Sequence, residues 1–268
     1  MKLLEAVQNK KIAGTLLASA LVIGSLGTIT AFAASGSDAI PKNTVMTAAA
    51  PAGAPAAADV AQGTIQYGKT VYATTDGSQN FTMEHWYDPQ TKDYRTDVQE
   101  FSADHRLLSY RSTYFLNGRS ELVVIQRNQN GDPVSGKRLQ RADDPKPFEP
   151  LDRKSLDFSA VKQTYQASYW TSAGTEHTSD GKTLNKFTNS YRSTLDDGTQ
   201  ANMQYIAYLD PQSGFPVKEE LYEDSTGTYK LFSTDTDEYR YVSDDGSVFA
   251  TGGVTLAPVK SSAEVFAK

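Results

Sequence analysis

Histidine, serine and paired carboxylates are the side chains that could run chemistry here, and their spacing restricts what that chemistry can be. The three histidines, His85, His105 and His177, are scattered, and none falls in the HExxH spacing that puts two imidazoles on one helix face around zinc. There is no cysteine, which removes thiol nucleophiles, cysteine-ligated zinc, CxxC redox chemistry and a thioether lipid anchor. Serine is plentiful, yet no GxSxG elbow occurs, and no Ser-x-x-Lys stands in a helical context with a supporting Lys-Thr-Gly. A phosphate-cradling glycine loop is missing too, since Thr251-Gly252-Gly253 runs into VTLAPVK without a strand–helix frame. Acid–base hydrolysis would need two carboxyls about 5–9 Å apart. The nominal pairs are Glu84 with Glu100 and Glu219 with Glu220, the second weakened because adjacent strand residues point to opposite faces. The runs DTDE (235–238) and SDDG (243–246) gather hard oxygen ligands without the spacing of an EF-hand loop, and they read as solvated turns. The expectation is a non-catalytic chain with no cofactor and no metal. A secreted hydrolase built on a carboxylate pair is the enzymatic alternative.

The elements that would carry any site are short extended runs. From Gly63 onward TIQYGKTVYATT, FTMEHWYD, TDVQEFSA, LLSYRSTYFL, ELVVIQRN and PVSGKRLQ are strand candidates. Asn117-Gly118 between two of them is the strongest hairpin signal, because both residues tolerate positive φ. The stretch DDPKPFEPLDRKSLDF holds Pro145, Pro147 and Pro150 and reads as a long surface loop or connector, with room for a short helix around 154–162. TYQASYWTS, TLNKFTNSYRST, MQYIAYLD, VKEELYED, TYKLFSTD, EYRYVS and SVFATGG follow as strand candidates, separated by the turns SAG, SDGK, LDDG, PQSG, DSTG and SDDG. No periodic stretch supplies crossover helices, so the fold class expected is mainly β: a large curved antiparallel sheet, an open or half barrel, with at most a few short helices.

Residues 1–34 read as an export signal. Lys10 and Lys11 precede an uncharged apolar stretch ending in Ala31-Phe32-Ala33, the pattern of a cleaved signal peptide. The 23 uncharged residues from Ile12 to Ala34 are also long enough to serve as an N-terminal membrane anchor. Either way the bulk is expected outside the cytoplasm, secreted or in the cell envelope. Residues 35–60 form an Ala/Pro-rich spacer, and 61–268 a single extracytoplasmic β domain, with two similar halves meeting near 145–160 as a variant. The net charge is −6, and the leader's Lys2, Lys10 and Lys11 against Glu5 leave −8 on the remainder, which argues against nucleic acid as a partner.

Two aromatic strands end alike, in Asp88-Pro89-Gln90-Thr91 and Asp210-Pro211-Gln212-Ser213, where Asp can accept a turn N–H and Pro fixes the next φ. The phrase YIAYLDPQSGFPVKEELYED resembles a strand–turn–strand unit of the bacterial lipoprotein-carrier and sigma-regulator superfamily. FTMEHWYDPQTKDYRTDVQEFSADHRLLSYRSTYFLNGRSELVVI is similar to that family's opening strands. What the resemblance implies is a half-open barrel whose concave face receives a lipid-like ligand or a cell-envelope protein. It implies Trp86, Tyr94, Tyr110, Tyr114, Tyr205 and Tyr208 as the lining. The expected function is thus a binding, carrier or sensor domain with an apolar concavity, and a surface-interaction module is the rival from another class.

Overall fold

The computed structural model describes residues 64–141, 148, 157–195, 198–224 and 227–267. The export signal, the spacer and the three connector prolines lie outside them. No helix of the described residues is long and apolar enough to cross a membrane.

The described residues form one twelve-stranded sheet in the order β12-β6-β5-β4-β3-β2-β1-β11-β10-β9-β8-β7. Strands β1 (Thr64–Thr74), β2 (Asn80–Tyr87), β3 (Tyr94–Phe101), β4 (Leu107–Leu116), β5 (Glu121–Arg127) and β6 (Pro133–Gln140) form a meander running outward from the centre. The second meander, β7 (Thr171–His177), β8 (Thr183–Thr194), β9 (Gln200–Leu209), β10 (Pro216–Asp224) and β11 (Lys230–Ser243), runs inward and ends paired with β1. The seam is long: β1 and β11 pair from Thr64↔Ser243 to Thr74↔Ser233. The sheet is not closed, and β7 and β12 (Leu256–Pro258) are its edges. A twisted sheet of this width curls, and register shifts between Glu100/Phe101, Gln126/Arg127 and Leu221/Tyr222 bend individual strands.

The expected mainly β, open and curved sheet is what the chain forms. Several elements differ. TYQASYWTS is not a strand: helix α1 (Phe158–Thr164) reaches its first residue, a turn follows, and only Thr171 onward is extended. Phe158, Val161 and Tyr165, at helical spacing, are what the sheet buries there. Asp157 caps α1 by accepting from the Ser159 N–H at 2.8 Å. The two candidates TYKLFSTD and EYRYVS are one strand, β11, so DTDE is no turn. SVFATGG is not extended, whereas Leu256–Pro258 beyond it pairs with β6 in parallel. Asn117-Gly118 does sit in a hairpin, with φ of 54° and 63°, but in a four-residue loop between Leu116 and Glu121.

Opposed residues of an antiparallel pair share a face, so the register sorts the side chains. One face carries α1 over the centre and helix α2 (Ser262–Phe266) over the β5–β6 side. On it Tyr94, Phe115, Leu122, Val124, Leu139, Phe148 and Val265 form one cluster. Phe158, Val161, Tyr165, Trp170, Ala207, Leu209 and Phe215 form another. The opposite, outer face holds Tyr114, Val123 and Ile125 beneath Val254 and Leu256.

Candidate functional site

Three carboxyls meet at the centre of the helix-bearing face. Glu219 on β10 lies directly opposite Asp235 on β11, and Asp235 opposite Tyr72 on β1. Asp237, two residues further along the same face of β11, lies opposite Thr70, whose hydroxyl donates to it at 2.6 Å. Glu219 is buried and accepts from the Tyr165 hydroxyl, which is delivered by the turn after α1, at 2.9 Å. Asp235 and Asp237 remain partly exposed.

Burial pushes the Glu219 carboxyl far above the usual range, the charges of Asp237 and Asp235 add to this, and the Tyr165 hydrogen bond only partly offsets it. Burial and then Asp237 push Asp235 up to about 8. Burial raises Asp237 to about 6 against the Thr70 hydrogen bond. No described lysine or arginine pairs with any of the three. Among the described residues no group of three or more side chains converges closely enough to hold a metal ion.

His85 adjoins this row. It sits on β2 opposite Gly68 of β1, which faces Tyr239 of β11. A side chain at position 68 would overlap the imidazole, so the missing Cβ lets the ring fold across β1 towards β11. His85 is 2% exposed, neither ring nitrogen has a partner within the protein, and burial holds it neutral with its pKa lowered to about 4. Trp170 Nε1 and Asn189 Nδ2 on the same face are likewise buried without a partner, as is Asp237 Oδ2. Around the row stand the half-buried apolar side chains of Met83, Val98, Leu221 and Tyr205, in register with Thr70, Met83, Ser233 and Leu221 respectively.

No protein-family model matches the chain, and no curated protein matches it. Among solved structures it is similar to an uncharacterized conserved protein from Thermus thermophilus, with 9% identity over 75% of this chain and 92% of that one and a TM-score of 0.38. A beta-barrel-like protein of a domain of unknown function from Brucella abortus aligns at 11% identity over 68% of this chain and 97% of that one, with a TM-score of 0.24. PNGF-II aligns at 9% identity and a TM-score of 0.28 over 74% of this chain, which spans 31% of that longer chain.

The six aromatic residues singled out from the sequence divide between the two faces. Tyr94 and Tyr205 lie on the helix-bearing face, Tyr94 stacked on Phe115 at 5.6 Å and buried, Tyr205 half-buried beside the carboxyl row. Trp86, Tyr110, Tyr114 and Tyr208 lie on the outer face. There Arg240, Tyr67, Trp86, Arg95 and Tyr114 occupy consecutive strands in register. Arg240 stands 4.4 Å over Tyr67, and Arg95 stands 4.6 Å from Trp86 and 5.2 Å from Tyr114. Arg95 also holds buried Asp97 with two hydrogen bonds, and Tyr110 donates to the same carboxylate at 3.2 Å. Tyr208 donates to Glu220 at 2.8 Å. These four residues knit the sheet together.

The carboxylate pairs considered from sequence also divide. Glu84 takes the Tyr67 hydroxyl on the outer face and Glu100 pairs with Phe81 on the other; Glu219 and Glu220 point opposite ways. The Glu219–Asp235–Asp237 row was missed. Its one sequence signal was Asp-x-Asp at strand spacing within an unbroken β run, which a turn reading of DTDE conceals.

Proposed function

We propose that the protein is a non-catalytic extracytoplasmic binding domain that receives a ligand with an apolar body on the helix-bearing face of its open sheet. The observation that carries this is the partial exposure of Asp235 and Asp237 at the centre of that face, beside half-buried Met83, Val98, Leu221 and Tyr205. Among the described residues, α1 lies over the centre of this face and α2 over its β5–β6 side. Burying a few hundred Å² of ligand there at about 25 cal/mol per Å² would yield several kcal/mol before ordering costs. The export signal and acidic balance of the sequence fit an extracytoplasmic setting.

The test is fluorescence of an environment-sensitive hydrophobic dye with residues 61–268. Enhancement by the folded domain, displaced by a dodecyl-chain compound, is expected. Val98→Lys should abolish it while Ile206→Lys on the outer face leaves it intact. A folded sample with no response, or a response that survives Val98→Lys, overturns the reading.

A further inference from the structure

We propose that the ligand carries a protonated amine and that Glu219, Asp235 and Asp237 receive it. This rests on the binding reading above and names the head group that the same site selects.

The argument begins with where the cations of the sheet go. On the outer face Arg95 takes Asp97, Arg138 takes Glu121 and Lys218 takes Glu220. On the helix-bearing face the three carboxyls of β10 and β11 have hydroxyl partners only, Tyr165 for Glu219 and Thr70 for Asp237. Among the described residues the groups facing the row are Thr70 and Tyr72 from β1, His85 from β2, Tyr239 from β11 itself and Tyr165 from the turn after α1, and none is a cation at neutral pH; of the cations on the same face, Lys162 of α1 lies over Phe215 and Arg111 of β4 over Phe266. Three acids held together without a counter-charge disfavour their own ionised form. A bound cation reverses that.

An independent observation points into the same place. His85 is only 2% exposed, lies across Gly68 towards the strand that carries both aspartates, and has no partner for either nitrogen. Leaving a buried polar group unsatisfied is unfavourable, and Asp237 Oδ2, two residues along β11 from the Tyr239 that faces Gly68, is likewise buried without a partner. A donor of several hydrogen bonds answers Asp237 Oδ2 and the acceptor nitrogen of the neutral imidazole. An ammonium has three such donors and no acceptor. It also tolerates the spread of the row: opposed strands lie about 5 Å apart and alternate residues of one strand about 7 Å apart. That spacing suits an organic cation with an apolar stem better than a compact metal ion, in keeping with the lack of a convergent metal-ligand group among the described residues. With its nitrogen over the row, the stem runs along Met83 and Val98 or along Leu221 and Tyr205.

The test is dye displacement or calorimetry with dodecylammonium, dodecanol and dodecanoate at about pH 8.5, where the amine is charged and the aspartates have released most of their protons. Dodecylammonium should bind at least about tenfold tighter than dodecanol, with dodecanoate weakest. The preference should shrink at about pH 5, where the row holds its protons. The double substitution Asp235→Asn, Asp237→Asn should erase the preference and leave dodecanol affinity unchanged, with circular dichroism confirming the fold. A short apolar peptide containing one lysine, run alongside, separates a side-chain amine from that of an amphiphile. Equal affinity for all three dodecyl compounds, or a preference that survives the double substitution, overturns the amine assignment and leaves the binding reading standing. Failure of all three to bind removes both.

Discussion

Glu219 and Glu220 are consecutive residues of β10, and the sheet puts them in opposite chemistries. Glu219 faces α1, has Tyr165 as its hydrogen-bond partner, and is driven towards its protonated form by burial and by Asp237 and Asp235. For Glu220 burial acts in the same direction, but Lys218, Tyr208 and Tyr222 together hold its carboxyl below the usual range. The outer face of this sheet is electrostatically finished, with arginines, lysines and tyrosines set against its acids. The helix-bearing face is not. A protein that neutralises its acids on one side of a sheet and leaves them uncompensated on the other has an uneven distribution of stability, and the uneven side is where a ligand can add most.

Four measurements probe that contrast. The largest effect is expected on the finished face. Arg95→Leu strands Asp97, which is 3% exposed, and should cost about 3–5 kcal/mol in urea denaturation, with the further change Asp97→Leu recovering much of the loss. A small cost for the single variant would mean that the outer face does not depend on its ion pairs. Next comes Gly68→Ala on the helix-bearing face, where the new methyl group meets the His85 ring: overpacking should cost about 1–3 kcal/mol, and His85→Ala in the same chain should relieve it.

Third, Glu219→Gln should stabilise the domain by roughly 1–2 kcal/mol at pH 8 and by nothing at pH 4. Asp235 keeps its proton in the fold up to about pH 8 and Asp237 up to about 6, whereas both release it near 4 when unfolded. The unfolded chain therefore binds fewer protons as pH climbs from 4 to 8, and the melting temperature should fall across that window. His85 works in the opposite sense at the acid end: it is neutral in the fold down to about pH 4 but titrates near 6.5 when unfolded, so its contribution to stability falls as pH drops from 6.5 to 4. Three acids, Glu219, Asp235 and Asp237, outweigh one histidine, so the melting temperature should still fall from pH 4 to 8, with His85 only flattening the slope below 6.5; a profile rising steadily to pH 8 would refute the assignment of the row as uncompensated. The smallest effect is Glu220→Gln, expected to cost under about 1 kcal/mol near pH 7, because Lys218 is substantially exposed. If Glu219→Gln and Glu220→Gln changed stability with the same sign, the two faces would not differ as described.

Much of the framework was legible in local chemistry. The limits of LLSYRSTYFL and TLNKFTNSYRST are those of β4 and β8. The two Asp-Pro-Gln motifs make matching turns: Asp88 accepts from the Gln90 N–H at 2.7 Å and Asp210 from the Gln212 N–H at 3.1 Å. In each, the fifth residue, Lys92 or Gly214, takes a positive φ of 66° or 73°. What local chemistry misplaced was TYQASYWTS, whose aromatics Tyr165, Tyr169 and Trp170 suggest a strand, while Tyr165 belongs with Phe158 and Val161 to the helical stripe that the sheet buries. The candidate site was hardly legible. Trp86 and Tyr114 look like lining residues in any list of aromatics, and only the alignment of β1 to β4 shows them sandwiching Arg95.

The sequence by itself determined the short strands, most of their turns and the absence of a parallel βα frame, because turn residues and alternation act over a few neighbouring peptide units. Which residues share a face was decided only when β1 met β11, more than 150 residues away in the chain, in a fixed register. A slip of one residue there would exchange the faces of β11 and send Asp235 and Asp237 to the outer side, away from Glu219 and Tyr165. The acidic row is thus a property of strand pairing across the whole fold, held by Phe158 of α1 packed edge-on against Phe215 and Tyr239, which stack on each other.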